Sequence, residues 1–291
     1  MKTILVTGAN GQLGRELRCL SKSSRDRFLF SDITQPGGED TLSLDICNPE
    51  AVRIVCEAEQ VDVIINCAAY TDVERAEGDL GMADMLNHKA VASLAEIALS
   101  TGATLVHIST DYVFDGKSSR PYVESDEPAP ATIYGITKMM GERAVVQSGC
   151  KHIIVRSAWL YSRFGKNFVK TMLELTSRGG TVKVVSDQRG CPTRALDLAK
   201  AVLALLEAGA SGIVHFAGGG DASWFELAQA VNQLSGHSGR IVPIASSQYP
   251  SRARRPAYSV LDTCLYTRLT GQAVPQWKDS LESFLKTPAG R

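Results

Sequence analysis

The chain carries no excess of charge of either sign: 31 Lys and Arg balance 31 Asp and Glu. That balance removes the broad basic field a nucleic-acid binder needs, so no nucleic-acid partner is expected. Cysteine is present but patternless. The seven are scattered, with no C-x-x-C pair, which predicts reduced thiols in a cytoplasmic protein rather than a disulfide framework or zinc site. The five histidines are isolated and lack H-E-x-x-H spacing. Long apolar runs are missing as well. The N-terminal one covers only residues 3–6, far too short for a signal peptide or a membrane span, so no membrane partner is expected.

What remains is an ordinary globular composition, 44% hydrophobic and 21% charged over 291 residues. That length suffices for one large domain or two smaller ones with a core. Nearly continuous apolar runs at 3–7, 28–31, 61–66, 104–109 and 153–156 read as strands covered on both faces. Helical patterns alternate with them, as in residues 87–99. This alternation predicts an α/β fold, a Rossmann-type doubly wound parallel sheet. Beyond residue 160 the rhythm changes. Helices are expected at 164–177, closed by Gly179 and Gly180, and at 195–207 and 224–234, with one more sheet strand at 213–216. The expected division is a sheet domain from 1–161 and 193–217, and a smaller α/β substrate-binding domain from 162–192 and 218–291.

Gly8, Gly11 and Gly14 stand between the first strand and a helix, in the run Thr7-Gly8-Ala9-Asn10-Gly11-Gln12-Leu13-Gly14. Glycine allows a tight turn and close approach of backbone N–H groups to a pyrophosphate at a helix N-terminus. Asp32 follows Gly14 by 18 residues, at the end of the second strand. A carboxylate there binds an adenosine ribose 2′-hydroxyl and repels a 2′-phosphate. Arg15 offers a cation near the phosphates that suits either cofactor; with Asp32 in place, NADH is favoured and NADPH tolerated.

Tyr134 and Lys138 share a helix face at i and i+4. A nearby ammonium lowers a phenol's pKa, which makes tyrosine a usable proton donor. Thr110, just past the strand at 104–109, lies where ligands sit in an open α/β sheet, beyond the carboxyl ends of its strands. Hydride donor and proton donor together are the equipment of a carbonyl reductase.

These residues resemble the extended short-chain dehydrogenase/reductase family. The resemblance is carried by residues 7–14, Asn66-Cys67-Ala68-Ala69-Tyr70-Thr71-Asp72-Val73, Ser109-Thr110-Asp111-Tyr112-Val113-Phe114-Asp115-Gly116 and Tyr134-Gly135-x-x-Lys138. Residues 156–161, 187–193 and 255–261 are similar to the dTDP-4-dehydrorhamnose reductases, and the likeness runs from residue 2 to about 285. It implies NAD(P)H-dependent reduction of the C4 ketone of a dTDP-6-deoxy-hexulose to dTDP-L-rhamnose, with a nucleotide-sugar substrate. It implies Tyr134 as proton donor, Thr110 as its tuner, and Lys138 on the nicotinamide ribose. Gly8, Asn10, Gly11, Gln12 and Leu13 would line the pyrophosphate, Asp32, Asp45 and Ile46 the adenosine, and Ala68, Ala69, Tyr70 and Thr71 the rest of the cofactor. Thr110, Asp111, Phe114 and Gln188 would contact the substrate, and Trp159 would pack on the deoxysugar.

Other residues carry two readings. Asn167 binds a base or phosphate, or caps a helix. Arg255, in the basic run with Arg252 and Arg254, grips the substrate diphosphate or is solvated surface. Cys191 is a reactive thiol or a buried filler, the second being favoured. Trp224 and Phe225 read as core, and Asn87 as a support beside Lys138. Some relatives are magnesium-linked dimers. Glu16 matches one acidic position, but Thr193-Arg194-Ala195-Leu196 lacks the others, so no metal is expected. Zero net charge offers no barrier to a homodimer. A nucleotide-sugar epimerase or dehydratase, and a non-catalytic regulatory subunit on the same fold, remain as alternatives.

Overall fold

A computed structural model describes residues 1–34 and 40–287. Six strands enter one parallel sheet in chain order: β1 (Thr3–Thr7), β2 (Arg27–Asp32), β3 (Leu42–Ser43), β4 (Val63–Asn66), β5 (Thr104–Thr110) and β6 (Lys151–Ser157). A last strand, Gly212–His215, pairs with β6 and completes a seven-stranded sheet in the order last strand, β6, β5, β4, β1, β2, β3. The order reverses at β1, so the crevice beyond the carboxyl ends of β1 and β4 is the switch point where such sheets bind ligands.

Strand residues alternate between two cores. Ile4, Val6, Val106 and Val155 pack with Leu13 and Leu17 of α1 (Gln12–Ser21) and, across the same face, with Leu198 and Val202. Leu5, Ile64, Leu105 and Ile154 pack on the other side, against Val52 of α2 (Pro49–Ala58) and Val91 and Leu94. Apolar side chains on both faces explain why these strands read as continuous apolar runs.

Three short elements follow β4: α3 (Val73–Ala76), α4 (Leu80–Asp84) and a π-helical turn, Met85–Lys89. The turn leads into α5 (Ala90–Thr101). The expected helix at 87–99 therefore begins with an irregular turn. Helix α6 (Ile133–Ser148) starts at Thr132, whose side chain accepts from the Gly135 amide, and ends at Gly149 with φ +74°.

Helix α7 (Phe168–Ser177) begins four residues later than expected, because the Asn167 side chain caps it. Helix α8 (Ala195–Glu207) returns to the sheet, and α9 (Trp224–Leu234) opens with a capping box between Ser223 and Glu226. A third core of Val169, Met172, Val184, Leu227, Val231, Trp277 and Leu281 lies apart from the sheet. A parallel pair there, Thr181–Val185 with Arg240–Ile244, was not anticipated from the sequence. Among the described residues no helix is long and apolar enough to cross a membrane.

Candidate active site

The glycine-rich turn is built by close packing. Gly8 has φ +63°, and a Cβ there would lie 2.6 Å from the Ala68 backbone nitrogen. Glycine thus brings the β1 turn against the segment leaving β4, the two walls of the crevice. Gly11 caps α1 without a side-chain hydrogen bond, and no acid stands in the first turn. Among the described residues no capping side chain meets the first amides of the helix, those of Gln12 and Leu13, which fits a diphosphate.

Asp32 is more engaged than expected. Its carboxylate accepts from the Asn10 amide at 3.0 Å, and from the Thr34 amide and hydroxyl at 3.0 and 2.9 Å. Asn10 in turn donates to the Thr34 carbonyl at 2.7 Å. Asp32 organises this loop as well as offering a carboxylate at the end of β2. Asp45 accepts from the Cys47 amide, and Ile46 is buried behind it.

Ala68, Ala69 and Tyr70 line the β4 side half-buried, and Thr71 is exposed. The Tyr70 backbone is gripped at both ends by Asn87, which accepts from its amide at 2.9 Å and donates to its carbonyl at 3.1 Å. Asn87 also donates to Thr137 of α6 at 3.2 Å. It reaches both because it sits in the π-helical turn, whose extra residue swings a side chain off the regular helix face.

Thr110 ends β5 with its hydroxyl donating to Asp111 at 3.0 Å. Tyr134 stands on the first turn of α6, its ring edge-on to Tyr112 at 5.6 Å between centroids. A Cβ on Gly135 would strike the Tyr112 carbonyl oxygen, so glycine lets α6 sit against the turn that carries Asp111 and Tyr112. The phenol of Tyr134 is pushed up, first by burial, while its hydrogen bond with Thr110 pulls it down and the Asp111 charge adds to the rise. This corrects the expectation that Lys138 lowers it. Lys138 is 1% exposed and its Nζ turns into β5, 2.6 Å from the Ile108 carbonyl and 3.1 Å from His107 Nε2. Burial lowers the Lys138 amine to about 8. Asp111 is 2% exposed, and burial raises its carboxyl to about 6, against the pull of the Ser259 and Thr110 hydroxyls.

Beneath these residues lies a buried pair that the sequence did not disclose. Glu142 follows Lys138 by one turn of α6 and accepts from Arg156 of β6 at 2.9 and 2.6 Å. Ser109 donates to the same carboxylate. The pair locks the helix bearing Tyr134 to β5 and β6. Its only sequence signal is charge inside otherwise apolar elements, which marks a paired ion.

One expected substrate contact falls elsewhere. Phe114 is a core residue, 2% exposed, stacked on Tyr122 at 4.2 Å and capped by the Arg156 guanidinium at 5.0 Å. Trp159 is half-buried with φ +47°, and Trp224 covers one of its faces at 3.5 Å. Trp224 and Phe225 both pack half-buried against the third core, as expected, Trp224 with its ring stacked on Trp159. Asn167 both caps α7 and donates to Gln12 at 3.0 Å, tying the 162–167 loop to the glycine-rich turn. Gln188 is buried. Arg255 lies 3.4 Å from both Tyr112 and Glu74, a partnered cation rather than a solvated one. Cys191 is buried, with burial pushing its thiol up to about 12, which matches the filler reading. Glu16 is buried and accepts from Ser162 at 3.0 Å.

The family model described as RmlD substrate binding domain matches residues 1–289. The chain belongs to that family. A probable dTDP-4,6-dihydroxy-2-methyloxan-3-one 4-ketoreductase of Streptomyces antibioticus is 42% identical over 96% of this chain and 94% of its own. A dTDP-4-dehydrorhamnose reductase of Clostridium acetobutylicum superposes with a TM-score of 0.91 at 39% identity, covering 97% of this chain and 98% of its own. One from Bacillus anthracis, solved in complex with NADP, gives 0.90 at 35% identity over 97% and 98%. Within the RmlD family framework, the switch-point crevice bounded by Gly8, Ala68, Thr110 and Tyr134 is the candidate active site.

Proposed function

We propose that this chain is an NAD(P)H-dependent nucleotide-sugar ketoreductase that converts dTDP-4-dehydrorhamnose to dTDP-L-rhamnose. The observation that carries this is the Thr110–Tyr134 hydroxyl pair at the carboxyl end of β5, across the crevice from an uncapped helix N-terminus. When bound, the dinucleotide supplies hydride to the C4 carbon. The chain does the rest. Gln12 and Leu13 amides hold the diphosphate, with Asp32 at the adenosine ribose. Asp45 and Ile46 flank the adenosine, and Ala68 to Thr71 follow the cofactor toward its reactive end.

Tyr134 keeps its proton until a carbonyl oxygen arrives, because burial and Asp111 disfavour the phenolate. It then gives that proton to the forming alkoxide, with the Thr110 hydroxyl, itself bound to Asp111, holding the phenol in place. Lys138 lies one turn away to hold the nicotinamide ribose. Asp111, Gln188 and Arg255 serve the substrate, with Trp159 against the deoxysugar. The relatives support NAD(P)H in general. The preference for NADH rests on Asp32 alone. The substrate side corresponds to 162–192 and 218–291, which hold the third core.

The Streptomyces relative reduces a differently named dTDP-linked ketosugar, so a neighbouring dTDP-4-keto sugar is the second reading. Tyr134→Phe tests the chemistry under either one. It should keep the fold and lower kcat by about 10²–10⁴-fold. Turnover within tenfold of the parent would refute the assigned role.

A further inference from the structure

A buried polar chain runs under the crevice from β1 to α6, and the proposed mechanism leaves most of it unused. Asn66, 1% exposed at the end of β4, accepts at Oδ1 from the Thr7 hydroxyl at 2.7 Å and the Ala68 amide at 3.2 Å. A backbone amide is always a donor, so the oxygen of this side chain must face it. The Asn66 nitrogen then faces His107 Nδ1 at 3.2 Å, and Nδ1 accepts. Burial, the largest cause, holds the His107 ring well below the ordinary imidazole range, so the ring is neutral whichever form Lys138 takes. Its single proton is therefore assigned to Nε2.

That N–H meets Lys138 Nζ at 3.1 Å, while Nζ itself lies 2.6 Å from the Ile108 carbonyl. An ammonium has three donors and no lone pair, and so cannot accept from Nε2–H. An uncharged amine accepts from His107 and donates to Ile108. Every hydrogen bond in the chain closes with the amine, and one contact fails with the ammonium.

We infer that His107 is a positioning residue that docks Lys138 against β5 as an uncharged amine, and that protonation releases the lysine toward the cofactor ribose and Tyr134. This rests on the proposed function for the roles of Lys138 and Tyr134, while the dock itself needs no substrate. The groups around it favour a poised lysine. Glu142, one turn along α6, favours the ammonium, but its carboxylate is shared with Arg156 of β6 and Ser109 of β5. Asp111 lies on the turn after β5, and Tyr134 one turn back on α6. His88 of the π-helical turn is paired with Asp84 of α4, and Glu74 of α3 with Arg255.

The test uses the ligand-free full chain, labelled with ¹⁵N-histidine and ε-¹³C-lysine for NMR. His107 and Lys138 signals are assigned from His107→Gln and Lys138→Arg. Long-range ¹H–¹⁵N spectra at pH 9 should show His107 protonated at Nε2. Asn66→Asp presents only acceptors to Nδ1. It should switch His107 to the Nδ1–H tautomer and raise the Lys138 titration midpoint by about one pH unit or more. His107→Gln, whose amide oxygen can accept from the ammonium, should raise that midpoint without adding charge. An Nδ1–H tautomer in the parent, or an unmoved Lys138 midpoint in a folded His107→Gln, would overturn the dock. Intact tautomer and midpoint responses in a protein that reduces no dTDP-ketosugar would overturn the proposed function and leave the dock standing.

Discussion

Replacing Asp111 by Asn should make the protein more stable and less active. The carboxyl sits 2% exposed beside Thr110, and burial moves it from 3.8 to about 6. A carboxyl raised on folding binds more protons folded than unfolded between those two values, so stability falls as pH climbs through that window. At ~1.4 kcal/mol per pH unit, the ionised group costs about 3 kcal/mol at pH 7, and nothing below pH 3.8. Asparagine keeps the oxygen that accepts from Thr110 and removes the charge. The variant should therefore gain up to about 3 kcal/mol at pH 7 relative to its difference from the parent at pH 4. Urea unfolding of both proteins across pH 4–7 measures this, and other carboxylates cancel in the difference. Turnover should drop, because a charge retained at that cost beside Tyr134 serves the reaction. A parent–variant difference that stays flat from pH 4 to pH 7 would refute the reasoning.

Three further outcomes follow from the same structure. Arg156→Met strands a buried Glu142 carboxylate and should destabilise by about 3–5 kcal/mol in urea unfolding; a loss under 1 kcal/mol would mean the pair does not lock α6 to the sheet. Gly8→Ala forces a side chain into φ +63° and against the Ala68 backbone, so its Tm should fall and NADH binding by fluorescence should weaken together; an unchanged Tm would remove the packing argument. Lys138, held at about 8 instead of 10.5, binds fewer protons folded than unfolded between those values. Its penalty is full below pH 8 and is relieved as pH rises toward 10.5. Lys138→Met should accordingly stabilise most at pH 7 and least above pH 10, as followed by thermal melts.

The sheet and its switch point were legible because apolar periodicity and glycine spacing are local signals. Gly8, Gly11 and Gly14, and the i, i+4 spacing of Tyr134 and Lys138, mark the crevice walls directly. What escaped were pairings between distant residues. Asn66 and His107 meet across 41 positions, and Arg156 finds Glu142 from the next strand. In sequence, His107 is only a polar interruption in an apolar strand. Asn87 looked like part of a regular helix, yet a π-helical turn aims it at Tyr70. Phe114 shares its motif with Thr110 and Asp111, but the 3₁₀ turn over 111–113 points it into the core under Arg156. Lys138 was expected to acidify Tyr134, and burial of both groups reverses the direction. Periodicity places a residue on a face, but only the packed fold decides how much water is left around it.

The most direct measurement is oxidation of NADH and of NADPH by the purified protein supplied with freshly made dTDP-4-dehydrorhamnose, with the sugar product identified by NMR. Rapid oxidation yielding dTDP-L-rhamnose in the parent, and at least a hundredfold less in Tyr134→Phe, is the predicted result. A folded parent that binds NADH yet oxidises neither cofactor with this sugar would contradict the proposed reaction.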